Sequence, residues 1–151
     1  MKILMFGWEY PPHVYGGLAT ANYGITEGLH AHGNAEITLC LPKPFGDEDR
    51  TPANILAMNC VPIAWRDVNY DYVKDRVGHV MSPELYYQLR DHIYGDFNYM
   101  HVNDLGCMDF AGGYPSNLHE EINNYSVIAG VVARTLDFDI IHAHDWLTYP
   151  A

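Results

Sequence analysis

The chain opens with an unbroken apolar run, Ile3 to Phe6, one residue after Lys2. A strand buried on both faces of a parallel sheet has this character, because helices cover it above and below. Turn formers follow in Gly7-Trp8-Glu9-Tyr10-Pro11-Pro12-His13-Val14-Tyr15-Gly16-Gly17. Adjacent prolines stop any regular element there, and the glycine pair opens backbone angles closed to other residues. From Leu18 the period changes: Leu18, Ala21, Ile25 and Leu29 share one helical face, and Gly33 is placed to end the helix. Ile37 to Leu41 is a second short buried strand, closed by Pro42. Strand, glycine loop, helix, strand is a βαβ unit, and it predicts an α/β fold.

The middle of the chain carries less pattern. Asp47-Glu48-Asp49, between Pro44 and Pro52, reads as a solvated loop. Ile55 to Ile63 reads as a third strand, weakened by Asn59 and Pro62. Asn69 to Gly78 mixes charges and tyrosines without a period. Ser82-Pro83-Glu84 has the order of a helix start: a capping hydroxyl, a first-turn proline, then an acid at the positive end of the dipole. Leu85, Leu89, Ile93 and Phe97 give that helix its apolar face. Tyr99 to Leu118, with Gly106, Gly112, Gly113 and Pro115, reads as a long irregular connection, a class of loop that is often functional. Tyr125, Ile128, Ala129, Val132 and Leu136 then match a buried helical face. Phe138 to Ala143 forms the last strand and delivers His144, Asp145 and Trp146 at its carboxyl end. The next helix of an alternating fold should start where Leu147 to Ala151 stand, so the domain reads as cut.

Composition narrows the classes. A chain of 151 residues and 17.1 kDa is the size of one domain with a real core. A hydrophobic fraction of 48% with 18% charged residues excludes the disordered class. Eight basic residues against 19 acidic ones give a net charge of −11, which argues against a nucleic-acid partner. Cys40, Cys60 and Cys107 lie far apart with no CxxC pair, as reduced buried thiols of a cytoplasmic protein would. The apolar N-terminal run is too short for a signal peptide or a membrane span.

Three places could carry chemistry. Gly16-Gly17 precedes a helix whose free amides could hold a phosphate, although two glycines alone read more readily as a tight turn into the helix. His142 and His144 share one face of the last strand, with Asp145 turned away at its end, where open parallel sheets bind ligands. His144 and Asp145 could bond sugar hydroxyls, whereas His142 reads as a core histidine and Trp146 as packing under a following helix. A rival reading makes His142, His144 and Asp145 part of a zinc hydrolase site, for which neither His101 nor His119 is marked by spacing as a further ligand. Glu9, just past the first strand, could reach the same crevice or be a surface acid. Glu120 and Glu121 are adjacent and so point apart, as helix N-terminal acids.

Together, the segment from Lys2 to Leu18 and the segment Phe138-Asp139-Ile140-Ile141-His142-Ala143-His144-Asp145-Trp146 resemble the N-terminal domain of GT-B retaining glycosyltransferases, specifically the glycogen and starch synthase-like enzymes. The resemblance is specific over residues 1–44 and 122–150 and one of order and hydrophobic pattern between them. It implies an α/β fold with a Rossmann-like parallel sheet, helices on both faces, residues 1–151 being an incomplete N-terminal domain whose donor-binding partner domain lies outside this chain. It also implies transfer of a hexosyl group, with retention, from an ADP-, UDP- or GDP-sugar to a glycan, with no further cofactor and no metal. By the same resemblance Gly16 and Gly17 lie against the donor diphosphate and His144 contacts the transferring sugar. Glu9, Tyr15 and Asp145 are possible substrate contacts. Glycogen and starch synthases carry a lysine two residues before the glycine pair, where this chain has Val14. That departure moves the resemblance towards their broader glycosyltransferase neighbours. A domain of this kind alone should be inactive, and its inter-domain face should leave Tyr15 and Trp146 in water. A stand-alone sugar- or nucleotide-binding module is the alternative from another class.

Overall fold

The computed structural model describes residues 1–64, 69–78, 81–91 and 101–151. Four strands, β1 (Lys2–Phe6), β2 (Glu36–Leu41), β3 (Asn54–Ala57) and β4 (Ile140–Ala143), form one parallel sheet in the order β3-β2-β1-β4. The chain therefore builds outward from β1 to β3 and then returns to the other side of β1. That reversal opens a crevice at the carboxyl ends of β1 and β4, the usual ligand position of an open α/β sheet.

Helices cover both faces. Helix α1 (Gly17–Ala31) lies over Ile3, Met5, Ile37, Leu39 and Ile55, against which its Tyr23, Ile25 and Leu29 pack. Helix α4 (Leu118–Thr135) covers the alternate residues Leu4, Phe6, Cys40 and Leu56 through Ile122, Tyr125, Ile128 and Ala129. The period of two in the strands thus divides the core into two halves. Tyr125 is the centre of the second half: Phe6, Trp8 and Phe110 surround its ring at 5.5–6.5 Å between centroids, and its hydroxyl donates to the Cys40 carbonyl at 2.9 Å. The three cysteines are free and buried, and burial raises each thiol pKa, that of Cys60 to about 12.

Several expectations shift. The fully buried positions of α1 are Ala19, Asn22 and Thr26, whereas Ala21 is exposed and Leu18, Ile25 and Leu29 are half-buried. Polar residues can sit inside because Asn22 Nδ2 donates to the Glu9 carbonyl at 2.9 Å and Thr26 Oγ1 meets the Tyr10 hydroxyl at 2.7 Å. The apolar run after Ile55 is strand only to Ala57, then a single 3₁₀ turn at Met58–Cys60. The segment read as lacking a period contains α2 (Tyr70–Val77), capped by the Asn69 side chain accepting from Tyr72 N. Helix α3 (Pro83–Asp91) starts as expected, with Ser82 Oγ accepting from Leu85 N; Ile93 and Phe97 lie outside the described residues. Gly33, at φ +70°, ends α1 as expected. Strand β4 is shorter than the run from Phe138, and as an edge strand it leaves Ile140 and Ile141 about half exposed.

Gly7 tests the close packing of β1 against α1. A Cβ there would lie 2.9 Å from Asn22 Nδ2 and 3.1 Å from Leu39 Cδ1, whereas one on Gly24, mid-helix, meets nothing within 4 Å. In urea unfolding, Gly7→Ala is expected to lose about 1–3 kcal/mol by overpacking, and Gly24→Ala to gain about 0.5–1 kcal/mol in helix formation.

Candidate functional site

The crevice is built from three loops. The first runs from Gly7 to Gly16 between β1 and α1 and places Glu9 beneath its own turn. Glu9 is 4% exposed, and its Oε2 accepts the backbone amides of Tyr15 at 2.8 Å and Gly16 at 3.1 Å. The other oxygen, Oε1, accepts the Tyr114 hydroxyl. The sequence left Glu9 between a crevice contact and a surface acid; the fold buries it and directs its charge to the loop amides. Gly16 is the N-cap of α1 in extended backbone, with no side chain capping the helix. The amides of Gly17 and Leu18 therefore begin a helix without an intrahelical acceptor, at its positive end.

The second loop, residues 101–117, brings in a group the sequence reading missed. Trp8 Nε1 donates to the Gly113 carbonyl at 3.0 Å, and Glu121 Oε1 accepts from Ala111 N at 2.9 Å, so both ends of the tip are tied down. Gly112 stands at φ +83° with the Phe45 ring below it, where a Cβ would come within 2.8 Å. This tip delivers Tyr114, whose ring meets Tyr15 edge-on at 6.1 Å. Burial first, then the Glu9 bond and charge, then the charge of Asp145, push the Tyr114 hydroxyl well above the ordinary tyrosine pKa. The signal in the sequence was a second Gly-Gly next to a tyrosine, Gly112-Gly113-Tyr114, echoing Tyr15-Gly16-Gly17.

The third part is the end of β4. His144 N donates to the Phe6 carbonyl at 3.0 Å, extending the ladder one residue past the strand. Asp145 then turns at φ +75°, with Oδ1 accepting from Trp146 N at 2.6 Å. Asp is one of the few side chains that tolerates this conformation, because its short carboxylate bonds locally. His144 is half-buried, its Nδ1 has no hydrogen-bond partner, and its ring lies 5.4 Å from that of His142. Burial, and secondarily His142, hold its pKa below the ordinary histidine value against the opposing pull of Asp145. Trp146 is 50% exposed near His119, and Tyr15 is 58% exposed.

No hydrogen bond among the described residues joins His144 to the glycine turn. Tyr114 links the two sides, bonded to Glu9 and within electrostatic reach of Asp145. His142, His144 and Asp145 do not form a converging ligand set among the described residues; the one such set is His13, Asp47 and Glu48. No helix among the described residues is long and apolar enough to cross a membrane.

A family model described as the starch synthase catalytic domain matches residues 2–151. The chain belongs to that family. The match supports a glycosyltransferase of the glycogen and starch synthase type. No curated protein and no solved structure matches the chain significantly.

Replacing Glu9 by alanine strands three donors at once, of which the two amides are part-buried. It is expected to cost about 2–3 kcal/mol and to speed hydrogen exchange at Tyr15 and Gly16; unchanged exchange would refute the tether. His144 is expected to titrate below an unstructured histidine in a proton NMR titration. Because its folded pKa is the lower one, stability is unaffected by this group above the unfolded pKa and declines as pH falls from there through the folded one. His144→Gln should flatten that part of the acid limb.

Proposed function

We propose that this domain supplies the acceptor-side half of a retaining transferase that moves a hexosyl unit from a nucleotide sugar to an α-glucan. The observation that carries the reading is positional: within a starch synthase-family chain, the uncapped start of α1 and the strand-end His144 flank one topological switch point. Donor diphosphate oxygens would take the amides of Gly17 and Leu18, where the helix dipole favours negative charge. Gly16 belongs to the turn and donates inward to Glu9, which supports a positioning role for Glu9 in this scheme.

His144 has a definite protonation in this scheme. Its lowered pKa keeps the ring neutral at neutral pH. Its Nδ1 is buried with no hydrogen-bond partner, which leaves Nε2 as the nitrogen to meet a ligand. A neutral Nε2–H can donate to an oxygen of the transferring sugar without adding a charge that would hold the diphosphate product. Asp145 fixes the turn that presents the ring, and Tyr15 and Tyr114 give apolar edges for a sugar face.

Neither the net charge of −11 nor the Val14 position offers the diphosphate a cation on this loop. Neutralisation of the donor falls to a second domain across the cleft, and the apolar, half-exposed edge at Ile140 and Ile141 supports a sheet that extends further. With ADP-glucose or UDP-glucose and a malto-oligosaccharide, the 151-residue chain is expected to release no nucleoside diphosphate. The protein in which this domain is joined to a donor-binding domain is expected to transfer, and to lose about 100-fold or more on His144→Ala. Transfer by the isolated chain, or full activity of His144→Ala, overturns the scheme.

A further inference from the structure

The acidic run that reads as a solvated loop is organised. Glu48 is 7% exposed, and its two oxygens accept the amides of Phe45 at 2.6 Å and Gly46 at 2.9 Å. Asp47 Oδ1 lies 2.8 Å from His13 Nε2, which comes from the β1–α1 loop. Phe45 stacks on the imidazole at 3.9 Å between centroids, so the ring is oriented by packing as well as by the carboxylate. One donor atom from each of His13, Asp47 and Glu48 lies within 4.8 Å of the others.

We propose that His13, Asp47 and Glu48 bind one divalent transition-metal ion of the zinc class. The donor chemistry fits: an imidazole nitrogen and two carboxylates sum to two negative charges, the set that suits zinc and its neighbours. The Glu48 oxygens each keep a second lone pair after accepting an amide. Among the described residues no lysine or arginine forms an ion pair with Glu48, and its hydrogen bonds come from two backbone amides.

A small cavity of about 10 Å³ adjoins the cluster on the Glu48 side, lined by His13, Glu48, Glu9, Lys43, Phe45 and Gly112, with Asp47 outside its lining. That is the space of a single water or ion. Lys43 borders it, with its stem near Gly112 and its charge acting on the buried Glu121. An ion held by the three side chains takes the place of the His13–Asp47 hydrogen bond and clips the loop bearing Glu9 and the glycine turn to the β2–β3 loop. The site does not rest on the transferase reading.

Calorimetric titration of the metal-free chain with Zn²⁺, and its visible spectrum with Co²⁺, test this directly. One ion per chain is expected, with the intense Co²⁺ bands of a site of fewer than six ligands. Affinity should fall at least ~10-fold in His13→Ala and in Asp47→Asn, about one charge-assisted contact each. Asp47 is exposed, so its variant keeps the fold, and His119→Ala should bind as the parent does. Absence of saturable binding overturns the proposal. So does a His13→Ala variant that binds as tightly as the parent, which would mean surface histidines hold the ion.

Discussion

A carboxylate taken out of water costs free energy unless donors surround it, and Glu9 meets that condition with two backbone amides and a tyrosine hydroxyl. The rest of the crevice depends on this arrangement. Its main-chain carbonyl holds Asn22 of α1, its Oε2 gathers the Tyr15–Gly16 turn, and its Oε1 holds Tyr114 from a loop a hundred residues away in sequence. Charge-assisted bonds contribute about 1.5–3 kcal/mol each, so they outweigh the desolvation of one carboxylate only when several converge. The loop is thereby preorganised while the amides after it stay free.

The sheet order determines which loops meet. Because β4 returns beside β1 and not beside β3, the loop after the first strand and the residue after the last described strand face one another. Two covered faces make this possible, α1 on one and α4 on the other, and Tyr125 fixes the second through the Cys40 carbonyl. The opposite end of the sheet also has a hollow, of about 430 Å³, lined by Thr38, Asn54 and Leu136. It lies away from the strand carboxyl ends, where helix-start amides and strand-end side chains gather.

Much of this was legible from hydrophobic period alone. Strands β1 and β2, helix α4 and the start of α3 followed from apolar spacing and capping order, because burial there is apolar. Where polar groups are buried, period misleads. Asn22 and Thr26 sit inside α1 only because Glu9 and Tyr10 supply partners, a fact of tertiary contact that no local pattern carries. Helix α2 has too few apolar residues to show a face, and its cue was the capping Asn69. Of the site, the glycine turn and His144 were visible in their motifs. Tyr114 was missed, since a loop held by Trp8, Glu121 and a left-handed glycine leaves no periodic trace and its one cue was the Gly112-Gly113 pair beside it. The acid run at Asp47–Asp49 looked solvated because composition does not reveal that amides fold back on Glu48.

The central claim is that one ligand spans the start of α1 and the end of β4. Amide chemical-shift mapping of the ¹⁵N-labelled chain during titration with ADP-glucose and UDP-glucose tests it most directly. The account predicts that Gly17, Leu18 and His144 shift together along one saturation curve, while Tyr15 and Gly16 keep their exchange protection. Shifts that spare Gly17 and His144, or that centre on Thr38 and Leu136 at the far end of the sheet, would contradict it.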